Sequence, residues 1–157
     1  MPDQVCKYKV GIASTCPGSY YADRHSRRCV TLCPNNTYSL ITTKYCEYSC
    51  SGSYYADPVL RQCVTTCSPN LYKYTLNPTT NLCVQYCPSP LFSLNSSTGV
   101  DAQCVPTCTG LLALNTTRTC ENYCPLPFWG DWTHNLCVTN CTPHYSYHPN
   151  RTCLTLC

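Results

Sequence analysis

Charge is scarce in this sequence. Lys, Arg, Asp and Glu together make up 11% of its 157 residues, against about 25% in an ordinary globular domain. Only seven residues are acidic, scattered along the chain, so paired carboxylates for acid–base catalysis are not expected. A net charge of +3 is too little for a surface that tracks nucleic-acid phosphates, even with fourteen Tyr available for stacking. Aliphatic residues are also few. Leu, Ile, Val and Phe together number 28, below the roughly 20% typical of a domain that folds by burying such side chains. No run approaches the ~20 apolar residues needed to cross a bilayer as a helix. The opening Met1-Pro2-Asp3-Gln4-Val5-Cys6 lacks the apolar stretch of a signal peptide, so the chain is expected to be a segment of a longer secreted protein or a sequence inferred without its true ends.

Cysteine is what the sequence has in excess, with 18 residues. Above roughly 8–10% Cys, a short chain reads as a disulfide scaffold, in which covalent bridges replace the missing core. A reducing cytosol would leave such a scaffold without support, so an extracellular, oxidising setting is expected. Asn-x-Ser/Thr acceptors for N-linked sugar agree with that setting. They stand at Asn35, Asn95, Asn115 and Asn150, and at Asn140, which is less favoured because Cys141 fills its middle position. Asn77 is followed by Pro78 and is excluded.

The cysteines are periodic. Cys-x3-Cys recurs at 29/33, 46/50, 63/67, 83/87, 104/108, 120/124, 137/141 and 153/157, with loops of 11 to 16 residues between the pairs. Residues 16–157 therefore read as one continuous array of eight repeats, preceded over 1–15 by a partial or divergent repeat. Pro, Ser or Thr follows each opening Cys, and an aromatic stands five residues after it in six repeats: Tyr21, Tyr38, Tyr55, Tyr72, Phe92 and Trp129. The sixth repeat has Ala113 at that place and the eighth has Ser146, flanked by Tyr145 and Tyr147. Gly-Ser-Tyr-Tyr-Ala-Asp at 18–23 returns intact at 52–57, which suggests a duplicated two-repeat block.

The three-residue links are rich in β-branched and aromatic residues and favour extended backbone. Four extended steps place the two Cα atoms of Cys-x3-Cys roughly 13 Å apart, too far for a bridge that needs about 7 Å or less. Loops containing Pro, Gly and Asn turn back readily. The expected bonds therefore close each loop: Cys16–Cys29, Cys33–Cys46, Cys50–Cys63, Cys67–Cys83, Cys87–Cys104, Cys108–Cys120, Cys124–Cys137 and Cys141–Cys153. An interlocked pattern between neighbouring repeats is the rival. Cys6 and Cys157 are left over, candidates for bonds between chains or outside the segment. The expected fold is small and disulfide-rich: an elongated rod of about eight single-disulfide repeats, with short β-strands, loops and essentially no helix. The six aromatics are expected to form a spine against the disulfides.

Cys16-Pro17-Gly18-Ser19-Tyr20-Tyr21 with Cys29-Val30-Thr31-Leu32-Cys33 resembles the single-disulfide units of furin-like, growth-factor-receptor cysteine-rich modules. The unbroken run of such units is similar to the cysteine-rich surface proteins of ciliates and other protozoa. The resemblance implies stacked units bonded across each loop and says little about role.

Sites compete poorly against this scaffold. Zinc prefers Cys-x2-Cys, and here the gap is three throughout. His144 and His148 have the i, i+4 spacing of a helical metal pair, but Pro143 and Pro149 flank them and argue for a solvated loop. Arg24, His25, Arg27 and Arg28 read as a solvated basic turn. Phe128, Trp129 and Trp132 concentrate aromatics on one loop that suits sugar or partner contact, although Trp129 is already assigned to the spine. No catalytic or metal residue is expected, and no cofactor beyond covalent glycans. The functional expectation is a non-catalytic extracellular structural glycoprotein of a cell-surface coat or filament, associating with itself end to end or laterally, with neither nucleic acid nor membrane insertion. The alternative is the cysteine-rich spacer or binding region of a receptor-like ectodomain, with the long loops 67–83 and 87–104 or the two Trp as contacts.

Overall fold

A computed structural model of the chain describes residues 16–95 and 102–155. Cys6, Cys157 and the 1–15 segment lie outside them. The described residues contain no helix, and each repeat is one short antiparallel hairpin closed by one disulfide. Two compact units are present, ending and beginning at Gln85 and Tyr86.

The first unit holds four such rungs. They are β1 (Tyr21–Asp23) with β2 (Arg28–Val30), β3 (Tyr38–Leu40) with β4 (Tyr45–Glu47), β5 (Tyr55–Asp57) with β6 (Gln62–Val64), and β7 (Tyr72–Asn77) with β8 (Thr80–Val84). The second holds β9 (Phe92–Leu94) with β10 (Gln103–Val105), β11 (Leu112–Leu114) with β12 (Thr119–Glu121), β13 (Trp129–Asp131) with β14 (Leu136–Val138), and β15 (Tyr145–Tyr147) with β16 (Thr152–Leu154).

The eight bridges are Cys16–Cys29, Cys33–Cys46, Cys50–Cys63, Cys67–Cys83, Cys87–Cys104, Cys108–Cys120, Cys124–Cys137 and Cys141–Cys153. Each closes its own loop, and their Cα separations run from 5.3 Å to 5.7 Å. A closed loop of about 15 residues contributes roughly 3 kcal/mol in the chain-entropy account.

The hairpins stack through main-chain bonds that skip a strand. The first strand of each rung pairs in parallel with the second strand of the next: β1 with β4, β3 with β6 and β5 with β8 in the first unit. In the second unit, β9 pairs with β12, β11 with β14 and β13 with β16. Each parallel contact is a single register position, fixed by an amide at the centre of the first strand. The Ala22 amide donates to the Lys44 carbonyl at 2.8 Å, Ser39 to Arg61 at 2.9 Å, Ala113 to Asn135 at 2.8 Å and Gly130 to Arg151 at 2.8 Å.

The central residue of each first strand also faces the loop-closing cysteine: Ala22, Ser39, Ala56, Ser93, Ala113, Gly130 and Ser146, with Lys73 as the exception. Small side chains fit there because neighbouring rungs pack closely against them, and at Gly130 the tight neighbour belongs to the preceding rung. A Cβ on Gly130 would stand 2.9 Å from Leu112 Cδ1. This register revises one detail of the repeat. In the sixth and eighth rungs, the residue that begins the strand, where the other rungs place their aromatic, is Leu112 and Tyr145. Ala113 and Ser146 are the small central residues. Both rungs have a cysteine separation of 12, and their turns start one residue earlier, at Cys108 and Cys141.

Every rung opens with a β-turn. Its hydrogen bonds run from Tyr20 to Pro17, Thr37 to Pro34, Tyr54 to Ser51, Leu71 to Ser68, Leu91 to Pro88, Leu111 to Cys108, Phe128 to Pro125 and His144 to Cys141. Gly18 and Gly52 take the left-handed conformation at the second turn position, and Asn36, Asn70 and Gly110 take it at the third. These residue types adopt it at least cost.

Buried apolar groups are few, and the half-cystines dominate them. Around Cys50–Cys63 gather Ala56, Tyr38, Leu40, Tyr54 and Leu82, and around Cys108–Cys120 gather Ala113, Phe92, Leu94 and Leu136. Each cluster draws side chains from the rung before and the rung after. The long fourth loop spends its extra residues on a longer hairpin with a bulge between Thr75 and Asn77.

Candidate functional site

Candidate chemistry falls on three kinds of surface: the glycan acceptors, the first-strand aromatics and a group of polar residues in the seventh and eighth rungs. Asn35, Asn95, Asn115, Asn140 and Asn150 are all exposed. Asn35 occupies a turn whose closing Thr37 donates its hydroxyl to the Pro34 carbonyl at 2.8 Å. Asn150 lies in the last hairpin turn, and the Thr152 hydroxyl donates to its Oδ1 at 2.6 Å. Each acceptor therefore sits on a turn, link or strand end where an attached sugar meets solvent.

The six aromatics are half-buried rather than open platforms. Tyr38 packs on the Cys50–Cys63 cluster and Phe92 on the Cys108–Cys120 cluster, in each case that of the following rung. Three others are faced by a cation from the next rung. Lys44 Nζ lies 5.2 Å from the Tyr21 ring centroid, Lys73 Nζ lies 5.7 Å from that of Tyr55, and the Arg151 guanidinium lies 5.1 Å from that of Trp129. His148 meets Trp129 edge-on at 4.9 Å. The Phe128, Trp129 and Trp132 group is split by the fold. Phe128 packs on Leu112 and Leu114, Trp129 is covered as described, and Trp132 is exposed.

The basic turn is exposed, and within it Arg24 makes contacts. Arg24 stacks on Tyr45 at 4.4 Å and reaches Glu47 at 3.9 Å. Arg27 is one of six residues standing two before a loop-closing Cys with a positive φ: Arg27, Lys44, Arg61, Arg118, Asn135 and Arg151. Left-handed backbone is uncommon for long side chains, and four of the six use theirs to reach the preceding rung. Lys44 Nζ donates to the Gly18 carbonyl at 3.4 Å and Arg61 Nη1 to that of Cys33 at 3.4 Å. Arg118 Nη2 donates to Cys87 at 2.8 Å and Arg151 Nη2 to Phe128 at 2.6 Å. Each clamps the opening turn of the preceding rung. In the fourth rung, Asn81 Nδ2 does the same to Gly52 and Tyr54. The sequence reading missed this clamp, although a basic residue at one fixed offset from the closing Cys signalled it.

Three aspartates end first strands and are buried: Asp23, Asp57 and Asp131. Each caps its own hairpin turn. Asp23 accepts from the amides of His25 and Ser26, and Asp57 from those of Val59 and Leu60. Asp57 also accepts from the Ser68 amide of the fourth rung at 2.7 Å. Burial alone would raise the Asp23 carboxyl, but hydrogen bonds from Ser26 and His25 outweigh it and hold the group below its ordinary value.

Asp131 accepts from the Thr133 and His134 amides and from the Thr133 hydroxyl. Its second oxygen lies 2.7 Å from His134 Nδ1. Burial raises this carboxyl too, and hydrogen bonds from Thr133 and His134 overcome it, bringing it to about 2. His144, from the opening turn of the eighth rung, stands beside them, with its ring centroid 6.3 Å from that of His134. The fold thus pairs His144 with His134 and Asp131, while His148 goes to Trp129. Next to His134 runs an open groove of about 380 Å³, floored by Phe92, Ala113 and Leu136 and edged by Thr107 and Thr109.

No protein-family model, no curated protein and no solved structure matches the chain.

Proposed function

We propose that the chain is a non-catalytic extracellular structural glycoprotein, a tandem cysteine-rich array that builds a cell-surface coat or an extracellular filament. Eight bridges in so short a chain suggest an extracellular or secreted protein. The observation that carries the structural role is how the rungs spend their polar groups. All sixteen described cysteines are bonded, and the left-handed cations and Asp57 hold neighbouring turns. The resemblance to furin-like rungs is consistent with such a scaffold.

Self-association has a route in the same geometry. Among the described residues of the second unit, β15 pairs only with β16, and Tyr145, Ser146 and Tyr147 are all exposed. The Ser146 amide is the counterpart of the Gly130 amide that bonds to the following rung. It is a donor ready for one more hairpin, whether from the same chain or another copy. An open edge of this kind templates pairing.

The test is native isolation under non-reducing conditions, followed by glycopeptide mass spectrometry and sedimentation. Sugar on Asn35, Asn95, Asn115 or Asn150, with sedimentation as multimers, is the expected result. Ser146→Pro, which removes that outward donor at an edge position where Pro is tolerated, should reduce assembly with all bridges intact. A bare monomer at all concentrations would sink the proposal.

A further inference from the structure

The seventh and eighth rungs depart from their own repeat at two positions, and the fold brings both departures to one buried carboxylate. Three residues after the end of the first strand, other rungs carry Ser26, Thr43, Leu60, Thr117 or Asn150; the seventh carries His134. At the last position of the opening turn, other rungs carry Tyr20, Thr37, Tyr54, Leu71, Leu91, Leu111 or Phe128. There the eighth carries His144. Neither histidine is needed for the turn it occupies, since the other rungs form both turns without one. One donor atom from each of Asp131, His134 and His144 lies within 4.8 Å of the others.

We propose that Asp131, His134 and His144 form a binding site for a divalent transition ion of the zinc or copper class. Two imidazoles and one carboxylate make a donor set that suits such ions, whereas calcium and magnesium take oxygen ligands. Bonds of 2.0–2.1 Å in a tetrahedral site set donors about 3.3 Å apart. The Asp131–His134 pair, now 2.7 Å apart, opens slightly to admit the ion, and His144 closes in. His134 is mostly exposed, so its ring turns at little cost. Asp131 is held in place by the Thr133 and His134 amides, which gives the site one rigid, anionic ligand. His144 is fixed through its own amide to the Cys141 carbonyl. Three protein ligands leave a fourth position open to water or to a donor from another molecule. Because the ligands come from two rungs, the ion would also clip the seventh to the eighth.

The chain contains four histidines, so His25 and His148 serve as internal controls. The experiment is calorimetric titration of the full chain, with its eight bridges formed and any free thiol alkylated, using zinc sulfate and, separately, copper and calcium chlorides. One zinc or copper ion per chain should be taken up saturably, with calcium inactive. His134→Gln and His144→Gln should each weaken uptake at least ~10-fold, since even outer-shell partners of metal ligands are worth that much. Asp131→Asn, which keeps an oxygen to cap the turn, should weaken it as well. His25→Gln and His148→Gln should leave it unchanged. Unaltered circular dichroism and bridge masses separate loss of ligand from loss of fold. Absence of saturable uptake, equal loss in the His148→Gln control, or equal uptake of calcium would each overturn the proposal.

Discussion

A left-handed arginine is a costly choice, and here it recurs. Non-glycine residues pay roughly 1–2 kcal/mol in that conformation, while a hydrogen bond from a charged group returns about 1.5–3 kcal/mol. Arg118 tests which term wins, because its Nη2 holds the Cys87 carbonyl at 2.8 Å while its φ is 54°. Arg118→Ala keeps the strain and loses the clamp, so it should destabilise by about 1.5–3 kcal/mol. Arg118→Gly loses the same clamp but sheds the strain, and should fall between Ala and the parent. Urea unfolding midpoints with all bridges intact check the order; Ala as stable as the parent would show that the clamp contributes nothing, and Gly equal to or worse than Ala that the left-handed strain is not relieved. Much at this scale was hidden in the sequence. Arg27 is exposed, as a solvated basic residue should be, but its positive φ could not be foreseen from an arginine as it can from Gly or Asn. The Asp131, His134 and His144 grouping was hidden for a related reason: sequence spacing pairs His144 with His148, and only the stacking of two hairpins sets it beside His134.

At the scale of the rung, the disulfide and the small residue opposite its closing cysteine work together. The bridge fixes the hairpin ends, and the small side chain lets the adjacent hairpins pack closely against that strand. Gly130 is the tightest instance described. Its amide bonds to the Arg151 carbonyl, and Leu112, which would meet a new Cβ, is 1% exposed and has little room to yield. Gly130→Val should cost about 1–3 kcal/mol, the usual range for overpacking, and Gly130→Ala less. Thermal unfolding checks both, and the Gly130 amide should lose exchange protection first. A Val variant as stable as the parent would show that the rungs are loosely seated. The hairpin and its bridge were legible because cysteine spacing and strand geometry both constrain them. The parallel contact was not, because a single main-chain bond asks only for a small residue. The slot itself was misplaced by one in the sixth and eighth rungs, where a shortened turn moves Leu112 and Tyr145 into the strand-opening position.

Among the described residues there is no large core to fail at once. The buried apolar groups are half-cystines with a few Ala and Leu around them, and each cluster reaches only to adjacent rungs. Stability in such an array is close to a sum of rung and nearest-neighbour terms, which would suit the proposed coat or filament. The clearest probe is one bridge removed from the interior of the first unit. Cys50→Ser with Cys63→Ser leaves the third rung without its closure and takes away the apolar centre against which Tyr38, Leu40 and Leu82 pack. Loss of a native bridge costs typically 2–5 kcal/mol. In a single cooperative core that loss would lower protection everywhere in the unit together. In a nearest-neighbour array the loss is graded: the amides of Ala56 and Asn81 exchange fastest, that of Ser39 is intermediate, and that of Ala22, held by Lys44, is least affected. Hydrogen exchange of the double variant reads this gradient directly, and uniform deprotection from Ala22 to Asn81 would show that the rungs fold as one body rather than as a ladder.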